Sequence, residues 1–365
     1  MELLEREIVV IGAGPAGLCA AIEARRTGAE VMLVDENSRP GGQLFKQIHK
    51  FFGSSEHHAG TRGYDIASEL CRQADSMGTE MWLDTVAYGI FPEGVGLVKN
   101  GENYIVKAKK IIVAAGGSED PAAFKGSTLP GVITAGAAQT LANVDRVLPG
   151  KKIVVLGSGN VGLIAAYQLM QGGAEIMAVV EKKDHIGGYG VHAAKLRRAG
   201  VPILTESVVT EAVGKDSVEA VTISAADAEG RPVPGSERTI EADTLCIAVG
   251  MSPLTELLWQ AGAKFSYVQE LGGFVPLHDE HMMTTLDGLY AAGDVTGIEE
   301  APIAMEEGNI AGISAACACG HIGPDAAAWL CAAAQQRIRS LESGSFGDNR
   351  WAARHRLLDS MPRKE

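Results

Sequence analysis

The residues whose types and spacing could carry chemistry are glycines, in two turns of the same pattern. The first turn, GAGPAG at residues 12–17, and the second, GSGNVG at residues 157–162, each follow an apolar run and precede an apolar segment of helical length. Such a turn lets the backbone approach a pyrophosphate, which accepts hydrogen bonds from free N–H groups at the start of the helix. The pattern therefore predicts a dinucleotide site, and the chain contains it twice.

An acidic residue follows each turn, at the end of the next expected strand. Asp35 lies 23 residues after Gly12, with Glu36 beside it, and Glu181 lies 24 residues after Gly157. A carboxylate at this position accepts hydrogen bonds from the hydroxyl groups of a ribose. Because strand, turn, helix and acid occur together, both segments are better candidates for nucleotide binding than a glycine turn alone.

The second turn leaves more alternatives open than the first. Glu181 favours NADH over NADPH, because a carboxylate binds a free 2′-hydroxyl and repels a 2′-phosphate. Lys182 and Lys183 follow it and would receive that phosphate if their side chains turned inward, whereas otherwise they are solvated. The second turn could also hold another adenine nucleotide, or serve only as a scaffold.

The elements that must position these turns are parallel strands joined by helices. Residues 8–34 show the pattern strand, turn, helix and strand, and residues 152–181 repeat it, so each forms a βαβ unit of a parallel sheet. The predicted fold class is α/β, with two Rossmann-like dinucleotide-binding domains, the second inserted into the first. We expect a first domain of residues 1–118 and 243–322, an inserted domain of residues 119–242, and a C-terminal helical tail of residues 323–365.

The composition narrows the class of protein. The 365 residues are 46% hydrophobic and 21% charged, which is typical of a globular protein with two or three domains. A net charge of −13 argues against nucleic acid as the main partner. No apolar run approaches the roughly 20 residues that span a bilayer, and a strand that begins near Glu7 leaves no room for a signal peptide. We expect a cytoplasmic protein without a transmembrane segment.

Three further segments carry a resemblance to a known family. They read VDENSRPGGQL at residues 34–44, IIVAAGG at residues 111–117 and TTLDGLYAAGDVTG at residues 284–297. With the two turns, they make the chain resemble the two-dinucleotide-domain flavoproteins, the pyridine nucleotide–disulfide oxidoreductase-like group, over about residues 5–320. The resemblance implies that the first domain binds FAD and that the second is of the NAD(P)-binding type.

The turns and the resemblance together assign residues to each nucleotide. Those assigned to FAD are Gly12, Gly14, Pro15, Ala16, Gly17, Asp35, Glu36, Gly42, Gln43, Val86, Ala115, Gly116, Gly293 and Asp294. Those assigned to NAD are Gly157, Gly159, Asn160, Val161, Gly162, Glu181 and Gly250. By resemblance Asp294 holds the ribityl chain or the pyrophosphate, and from the residues alone it could also be the N-cap of the next helix.

The cysteines argue against one branch of the family. None of the six is arranged as CxxC. Disulfide reductases of this superfamily carry a cysteine pair directly after the glycine pair or directly before the second turn, and this chain has neither. We therefore predict an oxidoreductase that is not a disulfide reductase. Cys317, Cys319 and Cys331 favour helix packing over an iron–sulfur cluster, which normally needs four ligands.

No metal site and no catalytic side chain is predicted. His49, His57 and His58 lie in one stretch, but the spacing of ligand types around them matches no metal site. Lys46 and Gln47 lie near them and could reach the flavin, yet no role follows from their positions. Transfer between a flavin and a nicotinamide depends on orientation more than on a protein acid or base.

Two more segments, together with VDENSRPGGQ and GGFVPLHDEHMMTTLDGLYAAGDVTG, suggest a narrower resemblance. LPGVITAGAAQTLAN and AMEEGNIAG are similar to the FAD/NAD-type subunit of multi-subunit amine and amino-acid dehydrogenases, a group that includes opine oxidases, hydroxyproline and proline dehydrogenases, hydrogen cyanide synthase and the large subunit of sarcosine oxidase. The resemblance implies electron transfer between NAD(H) or another carrier and a second flavoprotein subunit that oxidises an amine. Many members continue into a cysteine-rich [2Fe–2S] domain, whereas this sequence ends at Glu365 without one, so we expect any cluster to sit on a separate iron–sulfur protein or to be absent.

Two alternatives stay open. The chain could be a stand-alone NAD(P)H-dependent flavin reductase of a carrier protein or quinone, or a catalytically silent nucleotide-binding scaffold. The tail from residue 323 is a candidate docking element, and a helix that covers the first domain is the alternative. The amine substrate, the direction of electron flow and the oligomeric state do not follow from the sequence.

Overall fold

The computed structural model describes residues 2–52, 54–344 and 347–361, which form two compact units. The first unit contains the chain up to Phe45, residues Lys50–Ser118 and the chain from Met251 onward. The second unit contains Lys46–His49 and Glu119–Gly250.

The helices and strands follow one another in chain order. Up to residue 119 they are β1 (Glu2–Ile11), α1 (Pro15–Arg26), β2 (Val31–Val34), α2 (Gly63–Ser76), β3 (Glu80–Trp82), β4 (Thr85–Phe91), β5 (Gly94–Lys99), β6 (Glu102–Val113) and β7 (Gly117–Glu119). From there to residue 250 they are β8 (Val132–Thr134), α3 (Ala135–Gln139), β9 (Lys152–Leu156), α4 (Asn160–Gln171), β10 (Glu175–Val180), α5 (Gly190–Arg198), β11 (Ile203–Leu204), β12 (Ser207–Val213), β13 (Ala220–Ala225), β14 (Arg238–Glu241) and β15 (Thr244–Ile247). The remainder comprises β16 (Met251–Pro253), α6 (Glu256–Ala261), β17 (Phe265–Val268), β18 (Gly273–Pro276), β19 (Leu289–Ala291), α7 (Ala301–Ala318), α8 (Pro324–Leu341) and α9 (Asp348–Asp359).

The main sheet of the first unit brings the carboxyl ends of its five parallel strands to one edge. Its parallel part has the order β3-β2-β1-β6, and β19 pairs with the last residues of β6. Ile11 pairs with Val34 on one side and with Val113 on the other, and Val113 pairs with Ala291. Ligands of open parallel sheets bind at the carboxyl ends of the strands, so this edge is where a site is expected.

Helix α7 packs directly on α1 through small residues. A Cβ at Gly308 would overlap the carbonyl oxygen of Ala16, and a Cβ at Gly312 would overlap that of Ala20. Glycine is therefore required at both positions for the two helices to approach this closely. The contact fixes α7, and the turn before it, next to the start of α1.

The second unit is built on a parallel sheet of order β11-β10-β9-β15-β8. In this sheet β15 lies between β9 and β8, since Cys246 pairs with Val155 of β9 and with Ile133 of β8. The domain boundary predicted at residue 243 is therefore wrong, because β15 completes the second sheet and the chain returns to the first unit after Gly250. The earlier crossing lies between Ser118 and Glu119.

The predicted fold class is confirmed. Both sheets are parallel at their centres and carry helices between successive strands, as in Rossmann-like units, and the second unit is inserted in the chain of the first. The helices α8 and α9 beyond residue 323 belong to the first unit. Within the described ranges, no helix is long and apolar enough to cross a membrane.

Candidate functional site: two dinucleotide turns

The first turn has the backbone geometry that only glycine allows. Gly12 has a φ of +104°, and a Cβ there would overlap the carbonyl oxygen of Ala114. A Cβ at Gly17 would overlap the carbonyl oxygen of Gly12. Gly14 is the N-cap residue of α1, and no described side chain caps this helix start. The N–H groups of the first turn therefore point to an uncapped edge that suits an anion.

Segments distant in sequence converge on this helix start. A Cβ at Gly42 would lie 2.7 Å from Cα of Gly14, and a Cβ at Gly293 would lie 2.7 Å from Cβ of Ala16. The glycine pair after β2 and the glycine–aspartate turn after β19 thus both lie against α1. With Ala114 at the end of β6, four motif segments meet at one edge of the sheet.

The carboxylate of Asp35 is buried and aimed at the first turn. Its Oδ2 accepts from the N–H of Ala13 at 2.6 Å, and its Oδ1 accepts from the backbone and side-chain amides of Asn37, both at 2.8 Å. These three donors fix the carboxylate and leave acceptor capacity for a ribose hydroxyl. Glu36, the neighbouring candidate, is exposed at the surface.

Asp294 lies at the same edge but is not a helix N-cap. It begins a short 3₁₀ turn (Asp294–Thr296), whereas the N-cap of α7 is Glu300, so the N-cap alternative is wrong. Its Oδ1 accepts from the N–H of Glu299 at 3.2 Å. Burial raises the pKa of Asp294 to about 6, and the nearby charge of Glu307 adds to the increase.

The other residues assigned to FAD lie around this edge. Thr85 donates its N–H to the carbonyl oxygen of Asp35 at 2.9 Å, which places the exposed Val86 close to the acid. Residues 115–116 lie two and three positions after the last residue of β6, at the site edge. Gln43 is exposed, in the 3₁₀ turn that follows the glycine pair.

The second turn reproduces the geometry of the first. Gly157 has a φ of +106°, and a Cβ there would overlap the carbonyl oxygen of Ala248 at the end of β15. A Cβ at Gly162 would overlap the carbonyl oxygen of Gly157. Gly159 is the N-cap residue of α4, again without a side-chain cap among the described residues. The first turn of α4 also contains Val161, which is exposed.

Glu181 occupies the place that Asp35 has in the first unit. Its Oε2 accepts from the N–H of Ser158 at 3.0 Å and from its hydroxyl at 2.5 Å, and its Oε1 accepts from the N–H of Lys183 at 2.9 Å. Burial opposes ionisation, but these hydrogen bonds hold the pKa of Glu181 below its ordinary value. The acid is therefore ionised, and it faces the turn.

The sequence contains a second glycine pair that motif reading missed. Gly187–Gly188 lie six and seven residues after Glu181, and Gly41–Gly42 lie six and seven residues after Asp35. The signal was available, since the duplicated turns predict that the segment after each acid is duplicated as well.

The two glycine pairs make similar backbone contacts, shifted by one residue. The N–H of Gly188 donates to the carbonyl oxygen of Ser158 at 2.8 Å, as the N–H of Gly41 does to Ala13. A Cβ at Gly188 would lie 2.8 Å from the backbone nitrogen of Asn160, the first residue of α4. Asn160 also accepts, through Oδ1, from the N–H of the next residue in this loop, Tyr189, at 2.8 Å. Each helix start is thus bordered by a glycine, Gly42 or Gly188, at which a side chain would meet the helix start.

Two residues near the second turn are placed away from it. The side chain of Lys182 is exposed and packs against Gly230, so it does not turn inward. Gly250, assigned to NAD, accepts through its carbonyl oxygen from the N–H of Asp120 at 3.0 Å. The two residues before it, Ala248 and Val249, are the ones that a Cβ at Gly157 would meet.

The segment Lys46–His49 belongs to the second unit. Asn143 donates its side-chain amide to the carbonyl oxygen of Lys46 at 2.8 Å, and the amides of Gln47 and Gln139 pair at 3.2 Å. These hydrogen bonds fix the segment within the second unit. The sequence alone predicts no role for it.

The cysteines are free and mostly hidden. All six are unpaired with one another, and burial raises the pKa of Cys71 to about 11 and that of Cys246 to about 12. Cys331 is buried, and Cys317 and Cys319 pack against the core of the first unit. In the described part of the chain, no group of three or more histidine, cysteine, aspartate or glutamate side chains is placed to hold a metal ion.

With this geometry established, comparison with known proteins identifies the family. The model of the pyridine nucleotide-disulphide oxidoreductase family matches residues 6–308. The chain belongs to this family. Membership makes it an oxidoreductase and implies binding of FAD and of a nicotinamide dinucleotide.

Relatives within the family are components of larger enzymes. An opine oxidase component of Agrobacterium tumefaciens (strain Ach5), named as one of that enzyme's subunits, is 30% identical over 326 residues, which cover 85% of this chain and 65% of that protein. The alpha chain of sarcosine oxidase from Corynebacterium sp. (strain P-1) is 28% identical over 334 residues, 86% of this chain and 33% of that protein. This chain thus spans under two thirds of the first of these family members and a third of the second.

This chain shares its fold with a protein of solved structure. Thioredoxin reductase from T. acidophilum superposes with a TM-score of 0.71 at 23% identity, over 86% of this chain and 99% of that one. At this identity the likeness concerns the fold.

Proposed function

We propose that the chain is the FAD-dependent electron-transfer subunit of a multi-subunit amine or amino-acid dehydrogenase, and that it passes electrons between FAD and NAD(H) or a partner subunit. One observation carries the proposal: an uncapped helix start, a glycine pair and a carboxylate bonded to the turn occur together in both units. A chain with two such sites can hold an electron donor and an electron acceptor at the same time.

The residues of the first turn fit FAD. Helix α1 offers uncapped N–H groups to a pyrophosphate, and a Cβ at Gly12, Gly17 or Gly42 would meet neighbouring backbone. Asp35 is held with spare acceptor capacity for a ribose, and Asp294 lies at the same edge, where it can accept from the ribityl hydroxyls. Bound FAD would supply the redox chemistry, while the protein binds and orients it.

The residues of the second turn fit a nicotinamide dinucleotide without a 2′-phosphate. Glu181 is ionised and directed to the turn by Ser158, so it can accept from a 2′-hydroxyl and would repel a phosphate. Lys182 packs against Gly230 and is not available inside the site. We therefore propose NADH as the preferred nucleotide.

The thiols of this chain support electron transfer to a partner and not to a disulfide. Thiolates are the reactive form of cysteine, and burial disfavours them. The stretch before the second turn, where a cysteine pair would lie, instead forms α3, whose start is capped by Glu119 and Thr134. Glu119 accepts from the N–H of Gly136 at 2.7 Å and from the hydroxyl of Thr134 at 2.5 Å.

The relatives support the presence of a partner. The opine oxidase and sarcosine oxidase components are, by name, parts of oxidases built from several subunits. We propose that a second flavoprotein subunit oxidises an amine or amino acid and exchanges electrons with this chain, directly or through a separate iron–sulfur protein.

The test is purification of the protein from its native host, with bound cofactors and partners identified together. The proposal predicts stoichiometric FAD on this chain and co-purification with a second flavoprotein whose substrate is an amine. A monodisperse single chain that reduces a quinone at full rate with NADH would overturn the proposed membership of a larger complex. A chain that binds both nucleotides without electron transfer would instead be a scaffold.

A further inference from the structure

Two adjacent glutamates of α7 attach the C-terminal helices to the first unit. Glu306 accepts from Arg337 of α8 at 2.6 and 2.8 Å and contacts Nε2 of His57 at 2.9 Å. Glu307 pairs with Arg354 of α9. Both α8 and α9 lie beyond the residues 6–308 that the family model matches.

Arg354 is a buried cation among three buried glutamates. Its residue surface is 7% exposed, and besides Glu307 it donates to Oε1 of Glu299 at 2.9 Å. Its Nε lies 3.6 Å from the carboxylate of Glu342. A buried carboxylate without a partner destabilises the folded state. Arg354 therefore stabilises the burial of these glutamate side chains.

Glu307 and Glu299 also form hydrogen bonds with the glycine–aspartate turn at the FAD edge. Oε2 of Glu307 accepts from the N–H of Gly293 at 2.7 Å and from the hydroxyl of Thr296 at 2.8 Å. The N–H of Glu299 donates to Asp294 at 3.2 Å. A chain of contacts therefore runs from α9, through Glu307 and Glu299, to the turn that lies against the start of α1.

We propose that Arg354 is a positioning residue for FAD: through Glu307 and Glu299 it holds the Gly293–Thr296 turn in the conformation that receives the nucleotide. This inference rests on the proposed binding of FAD at the first turn. Gly293 has a φ of +80°, and the turn after it is only three residues long, so its position depends on what it is bonded to. The ion pairs of Arg354 go to glutamates and not to the turn itself.

The test compares Arg354→Met with Arg356→Met. Arg356 lies on the same helix, is largely exposed and pairs with the exposed Glu270, so its replacement makes the same chemical change without touching the turn. The readouts are the dissociation constant of FAD, from the recovery of flavin fluorescence on release, and the melting temperature of the apo-protein. We expect Arg354→Met to weaken FAD binding about tenfold or more, because the buried carboxylate of Glu307, which is bonded to the turn, loses its cation, while Arg356→Met stays within about twofold.

A second pair of variants tests the route and covers a failure to fold. Arg354→Lys keeps the charge but cannot bridge two carboxylates, so FAD binding should fall less than in Arg354→Met. Thr296→Val removes the hydroxyl that donates to Glu307. If Arg354 acts through Glu307, the effects of Arg354→Lys and Thr296→Val on FAD affinity are not additive.

The outcomes separate this inference from the proposed function. A lower melting temperature with unchanged FAD affinity in Arg354→Met, or additive effects of Arg354→Lys and Thr296→Val, would overturn the positioning role while leaving the flavin site intact. A wild-type chain that takes up no FAD would overturn the proposed function, and this inference with it.

Discussion

Adding one methyl group at the second glycine pair tests whether a nucleotide binds at the second turn. Gly188 lies against the start of α4, where the pyrophosphate of NADH is proposed to bind. A Cβ there would lie 2.8 Å from N and 2.9 Å from Oδ1 of Asn160, whereas ordinary contacts begin at 3.4 Å. Gly188→Ala must therefore displace the loop or the helix start by about 0.6 Å or more.

The expected loss follows from that displacement. Forcing a methyl group into a packed site costs about 1–3 kcal/mol, which corresponds to about a 5- to 150-fold weaker dissociation constant for NADH. The backbone of Gly188 is not in the left-handed region, so the effect is steric and not conformational. FAD binding should be unchanged, because the first turn is built from other segments.

Gly190 provides the matched control. It lies two residues further along the chain, at the first residue of α5, and a Cβ there would have no atom within 4 Å. Isothermal titration of NADH into the FAD-loaded protein should show weaker binding for Gly188→Ala and wild-type binding for Gly190→Ala. Equal NADH affinity in the two variants, with both folded by circular dichroism, would refute the assignment of the second turn.

Three further outcomes are expected. Ser158→Ala removes a 2.5 Å hydrogen bond to Glu181, and the loss of about 1 kcal/mol should weaken NADH binding about fivefold by titration calorimetry. Burial raises the pKa of Glu299 from 4.5 to about 7. The folded state therefore keeps this proton to a higher pH than the unfolded state, and its stability falls as the pH rises between these two values. Glu299→Gln should flatten this part of the curve of melting temperature against pH. Replacing both Cys317 and Cys319 by serine should leave the stopped-flow rate of flavin reduction by NADH unchanged.

Each of these outcomes has a contrary result. NADH affinity in Ser158→Ala equal to wild type would mean that Glu181 does not depend on the hydroxyl. An equally steep pH dependence in Glu299→Gln would assign the loss of stability to other groups. Slower electron transfer in the cysteine double variant would return the chain to the thiol-dependent branch of its family.

The local parts of both sites could be predicted from the sequence, because they depend on backbone geometry. Gly12 and Gly157 must adopt a positive φ and leave room for a carbonyl oxygen, and only glycine does both. Asp35 and Glu181 follow at the spacing that one helix and one strand impose. The class of fold follows from the same spacing, since a βαβ unit implies a parallel sheet.

The rest depended on pairings that no short segment encodes. The apolar run that forms β15 would suit the centre of either sheet, and only its pairing with β9 shows that it belongs to the second unit. Arg354 and Glu307 are 47 residues apart, and their pairing has no local signature. The pair Gly187–Gly188, in contrast, could have been found by extending the comparison of the two turns past each acid.

The proposed function depends on electron transfer between FAD and NAD(H) in this chain. It is measured by an anaerobic titration of the FAD-loaded protein with NADH, in which the flavin absorbance at about 450 nm is recorded. The proposed function predicts that about one equivalent of NADH bleaches the flavin, with no amine and no disulfide present. A flavin that stays oxidised under excess NADH, in a protein that binds both nucleotides, would contradict it.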